Sequence, residues 1–168
     1  MTTPTEISAY LNVVAKPDDK RWSWRYVQTK GYWSIKYEGV LPPCELNLEL
    51  NGSILCLQAD LGIMRLKPEC RPALHYFLLR LNDDLPIVKF GLNHENKITL
   101  MAEIPAAQLS LGAFEELLQV TLAVLVQYRH EIQLLASEST LAQLLLKQMD
   151  VTDNRAVPIR LIKEEQVH

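Results

Sequence analysis

The run ELNLELNGSILCLQADL, Glu45 to Leu61, constrains this chain more than any other stretch. Leucines alternate with polar residues on both sides of Asn51-Gly52, the period of a strand with one buried face. Asn-Gly tolerates the positive φ that a two-residue hairpin loop requires. With Asn51 and Gly52 as that loop, Leu50 falls opposite Ser53, Leu48 opposite Leu55 and Leu46 opposite Leu57. One face is then almost wholly leucine and continues to Ala59 and Leu61. The other carries Glu45, Asn47 and Glu49 against Ile54, Cys56 and Gln58. Whatever else the chain does, it must cover the leucine face of a sheet.

The flanking segments supply the cover and extend the sheet. TEISAYLNVVA, residues 5–15, reads as a helix with Thr5 as N-cap and Ile7, Tyr10, Leu11 and Val14 on one side. Trp22, Trp24 and Tyr26 then alternate with polar residues, Lys30-Gly31 turns the chain, and YWSIKYEG resumes the alternation. Two strands are expected there. After the hairpin, Leu74, Phe77, Leu78 and Leu81 line a second helix whose first turn holds Pro68 and Pro72. Val88, Phe90 and Leu92 alternate on one strand, and Ile98, Leu100, Ala102 and Ile104 on the next. NHENK between them places His94-Glu95 at a polar loop tip, a poor place for a catalytic or metal site.

From Ser110 a long helix runs to about Ala136. Leu111, Phe114, Leu118, Leu122, Leu125 and Ile132 form one stripe, and Leu117, Val120 and Val124 a second. A helix apolar on two sides must be covered twice, once by the sheet and once by another helix or another subunit. Leu117, Val120 and Val124 are therefore the candidates for self-association. A short helix follows in ESTLAQLLLKQM. The domain is expected to span residues 1–149, with a linker and tail over 150–168, where VPIRLI reads less well as an edge strand. The order is α-ββββ-α-ββ-α(-α), an α+β fold with helices packed on a mostly antiparallel sheet.

Chemistry-bearing motifs fail one by one. There is no phosphate loop, dinucleotide fingerprint or nucleophile elbow. HEIQL at His130 begins like a zinc-protease motif, but Leu134 stands where the second histidine should be. The paired acids Asp18-Asp19, Asp83-Asp84 and Glu115-Glu116 are sequence neighbours, which diverge on a helix rather than converge on a substrate. Cys44, Cys56 and Cys70 are an odd set without C-x-x-C spacing, read as small apolar residues in a reducing compartment. No metal, no cofactor and no catalytic residue are expected. The start of the chain lacks a basic, then apolar, signal segment. Its most apolar run, Leu117 to Val126, is about half a bilayer span. A cytoplasmic protein is the simplest reading.

One anomaly remains. Lys20 to Tyr37 gathers all three tryptophans with Tyr26, Tyr32 and Tyr37 among Lys20, Arg21, Arg25, Lys30 and Lys36. Three readings stand: a single-stranded nucleic-acid platform, cross-strand aromatic pairs within a sheet, or a docking surface for a polypeptide. A net charge of -3 weighs against the first. Trp22, Trp24, Tyr26 and Trp33 are the candidates for partner contact.

Residues 45 to 136 resemble the YbjN family. The matching pieces are the Asp60-Leu61-Gly62 corner, a helix ending at Leu81-Asn82, the strand Phe90-Gly91-Leu92, the strand from Ile98 to Leu100 and on to Glu103-Ile104-Pro105, and the helix after Leu109-Ser110. A cyanobacterial branch of the family is a further expectation. The resemblance implies a fold shared with type III secretion chaperones. It also implies a non-enzymatic protein, usually a homodimer, that binds polypeptide segments or acts in regulation. It carries over no catalytic residue.

Overall fold

The computed structural model describes residues 3–14, 20–27, 31–40, 43–61, 66–93, 95 and 97–151. Helix α1 (Pro4–Val14) precedes four strands, β1 (Trp22–Val27), β2 (Tyr32–Tyr37), β3 (Cys44–Asn51) and β4 (Ile54–Asp60). A short 3-10 turn at Pro68–Cys70 leads into α2 (Arg71–Asp84). Strands β5 (Lys89–Leu92) and β6 (Ile98–Pro105) follow, and then helices α3 (Leu111–Ser137) and α4 (Ser139–Val151). The strands form one antiparallel sheet in the order β1-β2-β3-β4-β6-β5. This is the α+β architecture expected, with the helices on one face. The tail read in 152–168, VPIRLI included, lies outside the described residues, as does His94.

The hairpin has the expected faces but a different register. Leu50 pairs with Leu55, Leu48 with Leu57 and Leu46 with Ala59. The loop is Gly52-Ser53, one residue further along than Asn51-Gly52. Gly52 sits at φ +60°, where a glycine opening a two-residue loop is unstrained. The shift moves each partner by two residues, and two residues is one side-chain period, so every leucine keeps its face. Leu46, Leu48, Leu55 and Ala59 are fully buried, while Glu45, Asn47 and Glu49 are exposed.

Helix α1 is capped by Thr3, not Thr5. The Thr3 N–H donates to Glu6 Oε2 at 2.7 Å and the Glu6 N–H returns a bond to Thr3 Oγ1 at 3.3 Å. That reciprocal box places Pro4 at the first helical position, where its missing N–H costs nothing. Ile7 and Leu11 are fully buried, and Tyr10 meets the Phe114 ring of α3 at 5.8 Å.

Ser110 caps α3 by accepting the Ala113 N–H at 3.2 Å. Both apolar sides of α3 are covered within this chain, by the sheet at β6 and by α1, α2 and α4. Leu117 is 1% exposed and Val124 6%. They are core residues rather than a self-association surface, which corrects that expectation; Val120 is half-buried. Among the described residues α3 is also the one helix long and apolar enough to cross a membrane. Here Phe114, Leu118, Leu125 and Ile132 hold it against the rest of the fold.

Candidate functional site: the edges of the sheet

A sheet has two edges, and each offers unpaired backbone groups to another chain unless something closes it. Here the edges are β1 and β5, and they differ.

The β5 edge is closed at Phe90 by a side chain, while Leu92, the other outward residue of the strand, is 48% exposed. The Asn93 N–H donates to the Lys97 carbonyl at 3.0 Å, which fixes the alternation of hydrogen-bonded pairs between β5 and β6. In that alternation Phe90 turns its N–H and C=O away from β6, toward the edge. Both groups are taken by Asn82 at the end of α2. Asn82 Nδ2 donates to Phe90 O at 2.9 Å, and the Phe90 N–H donates to Asn82 Oδ1 at 2.7 Å. The carboxamide presents one donor and one acceptor, as a neighbouring peptide unit would. The Lys89 ammonium donates to the Asn82 and Leu85 carbonyls at the end of α2, which holds helix and strand together.

Among the described residues the β1 edge is open. The Glu38 N–H donates to the Arg21 carbonyl at 2.7 Å, so residues 21, 23, 25 and 27 face β2 through their backbones. Trp22, Trp24 and Tyr26 turn theirs outward, and no described strand lies beyond them. Their side chains stand on the helix-side face of the sheet, in rows with Tyr37, Ile35 and Trp33. Trp22 and Tyr37 rings lie 4.5 Å apart, and Tyr26 and Trp33 rings 5.0 Å apart. Trp22 and Trp24 are half-buried and Tyr26 is 43% exposed. Trp33 differs. It is 1% exposed, and its indole Nε1 donates to Ser8 Oγ of α1 at 3.0 Å. Its role is to tie α1 to the sheet, so the partner-contact expectation is corrected at that residue: it has almost no surface to offer.

Most aromatic residues of this segment stand across the sheet from Arg25 and Lys36. Arg25 and Lys36 stand on the opposite face from Trp22, Trp24 and Tyr26, in the rows of Ser34 and Glu45. Lys36 pairs with Glu38 at 2.6 Å, a contact that raises its pKa. A stacking platform needs rings and cations on one surface, and the strand pleat leaves Tyr32 alone of the six rings on the face of Arg25 and Lys36.

The other motifs are structural. Asn93 Oδ1 accepts the N–H groups of Glu95 and Lys97, both at 2.9 Å, and Glu95 pairs with Lys97 at 2.6 Å, bonds that serve the turn between β5 and β6. Arg129 on α3 donates to Leu61 O at 3.2 Å and Pro43 O at 3.4 Å, holding the ends of the hairpin strands. Beside it, Val40, Leu125, Val126, His130 and Gln133 line a cleft of about 140 Å³. Burial pushes the Cys44 thiol up in pKa against the nearby Arg129 charge, and pushes Cys56 up together with the Glu103 charge beside it. Both shifts favour the unreactive thiol. Among the described residues no three His, Cys, Asp or Glu side chains gather as a metal site.

Solved structures share this fold. A chain of the ExsC–ExsE complex matches with a TM-score of 0.52 and 22% identity, over 83% of this chain and 100% of that one. A chain of the HopA1–SchA chaperone–effector complex matches with a TM-score of 0.53 and 16% identity, over 74% and 93%. YbjN from E. coli matches with a TM-score of 0.52 and 12% identity, over 84% and 94%. The chain therefore shares its α+β fold with these three structures, of which one is a chaperone–effector complex and one is described as "a putative transcription regulator". No curated protein matches by sequence. The profile of the YbjN family, described as "Putative bacterial sensory transduction regulator", matches residues 45–134, more than half of the 168. The chain belongs to the YbjN family. Strands β1 and β2, where the open edge lies, precede the matched residues.

Proposed function

We propose that the protein is a non-enzymatic, chaperone-like or regulatory protein of the cytoplasm that captures an extended polypeptide segment along β1. The observation that carries this is the contrast between the edges: β5 is closed at Phe90 by Asn82, while β1 points the backbones of Trp22, Trp24 and Tyr26 outward. Strand addition would supply main-chain hydrogen bonds for affinity and the aromatic row for selectivity. The incoming segment would alternate, its apolar residues beside Trp22, Trp24 and Tyr26 and its polar or acidic residues beside Ser23 and Arg25. The chaperone–effector complex among the similar structures supports a polypeptide partner, and the family description supports a regulatory role. The separation of rings from cations disfavours single-stranded nucleic acid.

The test is affinity capture from native lysate with mass spectrometry, comparing the wild type with Trp22→Ala/Trp24→Ala. A set of proteins bound by the first and lost by the second is expected. An unchanged set refutes the assignment. Titration with single-stranded DNA or RNA at low salt, read by tryptophan fluorescence, should show no quenching.

A further inference from the structure

We infer that Arg25 reads the charge of the captured segment: a carboxylate directly opposite it fixes the register and the direction in which that segment lies along β1. This rests on the reading of β1 as a capture strand and names the chemistry of what it takes.

The aromatic row sets neither property. Trp22, Trp24 and Tyr26 are the residues whose backbones point outward, and they stand evenly about Trp24 on the helix-side face. A segment of alternating apolar residues could be reversed end for end, or slipped by two residues, and still lay an apolar side chain beside a ring. The opposite face is not symmetric. Ser23 stands on one side of Trp24 and Arg25 on the other, with Val27 beyond it. Both Ser23 and Arg25 turn their backbones to β2, so across the open edge they form non-hydrogen-bonded pairs with an incoming antiparallel strand. In such pairs the Cα atoms lie about 4.5 Å apart and the side chains meet most closely.

Among the described residues Arg25 makes no ion pair. It is exposed, and its cross-strand neighbour is Ser34, with Tyr32 and Lys36 on the diagonals. Lys36 is itself held by Glu38 at 2.6 Å. The next carboxylates of this face, Glu45 and Glu49, stand on β3 opposite Lys36 and Tyr32. Two strand spacings, about 10 Å, separate β3 from β1. A carboxylate on the segment would therefore be the first to pair with this guanidinium. Read from its N-terminus, an antiparallel segment is apolar beside Tyr26, acidic opposite Arg25, apolar beside Trp24, small and polar opposite Ser23, and apolar beside Trp22. Laid in parallel, the same segment brings its acid to Ser23 and its small residue to Arg25. A lysine in the acidic position would set two like charges in a close pair.

The experiment titrates the isotopically labelled full chain with three synthetic peptides, V-E-V-S-V, V-Q-V-S-V and V-K-V-S-V, each flanked by glycine and serine. The Trp22, Trp24 and Tyr26 amides are followed by nuclear magnetic resonance at low salt. The glutamate peptide is expected to bind about threefold more tightly than the glutamine peptide and about tenfold more tightly than the lysine peptide. Added salt should shrink both preferences, and Arg25→Gln should abolish the difference between glutamate and glutamine. A nitroxide on the N-terminus of the glutamate peptide should broaden the Tyr26 amide more than the Trp22 amide, a bias that Arg25→Gln should weaken. Equal binding of the three peptides, a glutamate preference that survives Arg25→Gln, or a label nearer Trp22 would each overturn the inference and leave capture standing. Failure of all three peptides to move these amides would sink capture itself, and the role of Arg25 with it.

Discussion

Asn82→Ala tests the closed edge directly. Asn82 makes two hydrogen bonds, at 2.9 and 2.7 Å, to the backbone of Phe90, whose residue is 5% exposed. A net hydrogen bond contributes about 1 kcal/mol, and a backbone group left buried without a partner costs about 1–3 kcal/mol. Water can reach the vacated edge, so the total should fall near the lower sum, about 2–4 kcal/mol. For a chain of 168 residues that is a fall in Tm of roughly 5–15 °C. The second effect is qualitative. Phe90 would then offer its N–H and C=O outward beside Leu92, and association should increase as concentration rises. Thermal unfolding followed by circular dichroism measures the first effect, and light scattering the second. A fall of under about 2 °C, with no added association, would mean that Asn82 does not guard this edge. Asn82→Asp sharpens the test. It keeps an acceptor for the Phe90 N–H but sets a carboxylate against the Phe90 carbonyl, so stability lost at neutral pH should partly return as acid protonates it.

Three further outcomes are expected. Trp33→Phe should cost about 2–3 kcal/mol in chemical denaturation, from lost buried volume and the lost bond to Ser8, while leaving partner capture by the folded protein unchanged. Cys56 should react with iodoacetamide at pH 8 more slowly than an unstructured cysteine, because burial and then Glu103 raise its pKa; Glu103→Gln should speed the reaction modestly, measured by mass spectrometry. The Glu69 carboxyl is held below its usual 4.5 by a backbone bond first and by Ser139 of α4 second. Its stabilising effect is thus present above 4.5 and is lost as pH falls through the lowered folded value. Amide exchange in α4 should rise over that acid range, and Glu69→Gln should remove the dependence.

What the sequence disclosed, and what it hid, follow one division. Patterns local to an element were legible: the leucine face of β3 and β4, the Ser110 cap, the buried side of α2, and the strands about Trp22 and Trp33. The hairpin register was not, because a two-residue slip preserves every face and both loop choices contain Gly52. Thr5 looked like a cap until Pro4 took the first helical position and passed the role to Thr3. The second stripe on α3 correctly called for a second cover. Composition could not say whether a helix of the same chain or another subunit would provide it, and three helices of this chain do. The candidate site was half legible. The aromatic row stood out, but alternation alone did not show that Trp33 sits one strand inward, under α1. The closed edge left the least trace. Asn82 read only as the end of a helix, and its partner Phe90 is set by how α2 meets β5 in three dimensions.

The asymmetry of the two edges is open to direct measurement by amide hydrogen exchange, residue by residue, in dilute protein and then with a saturating bound segment. The Phe90 amide should be protected in both states, and those of Trp22, Trp24 and Tyr26 should exchange fast alone and slow by at least about tenfold when bound. Protection that instead appears on the helices, with the three β1 amides unchanged, would place recognition elsewhere and contradict capture at this edge.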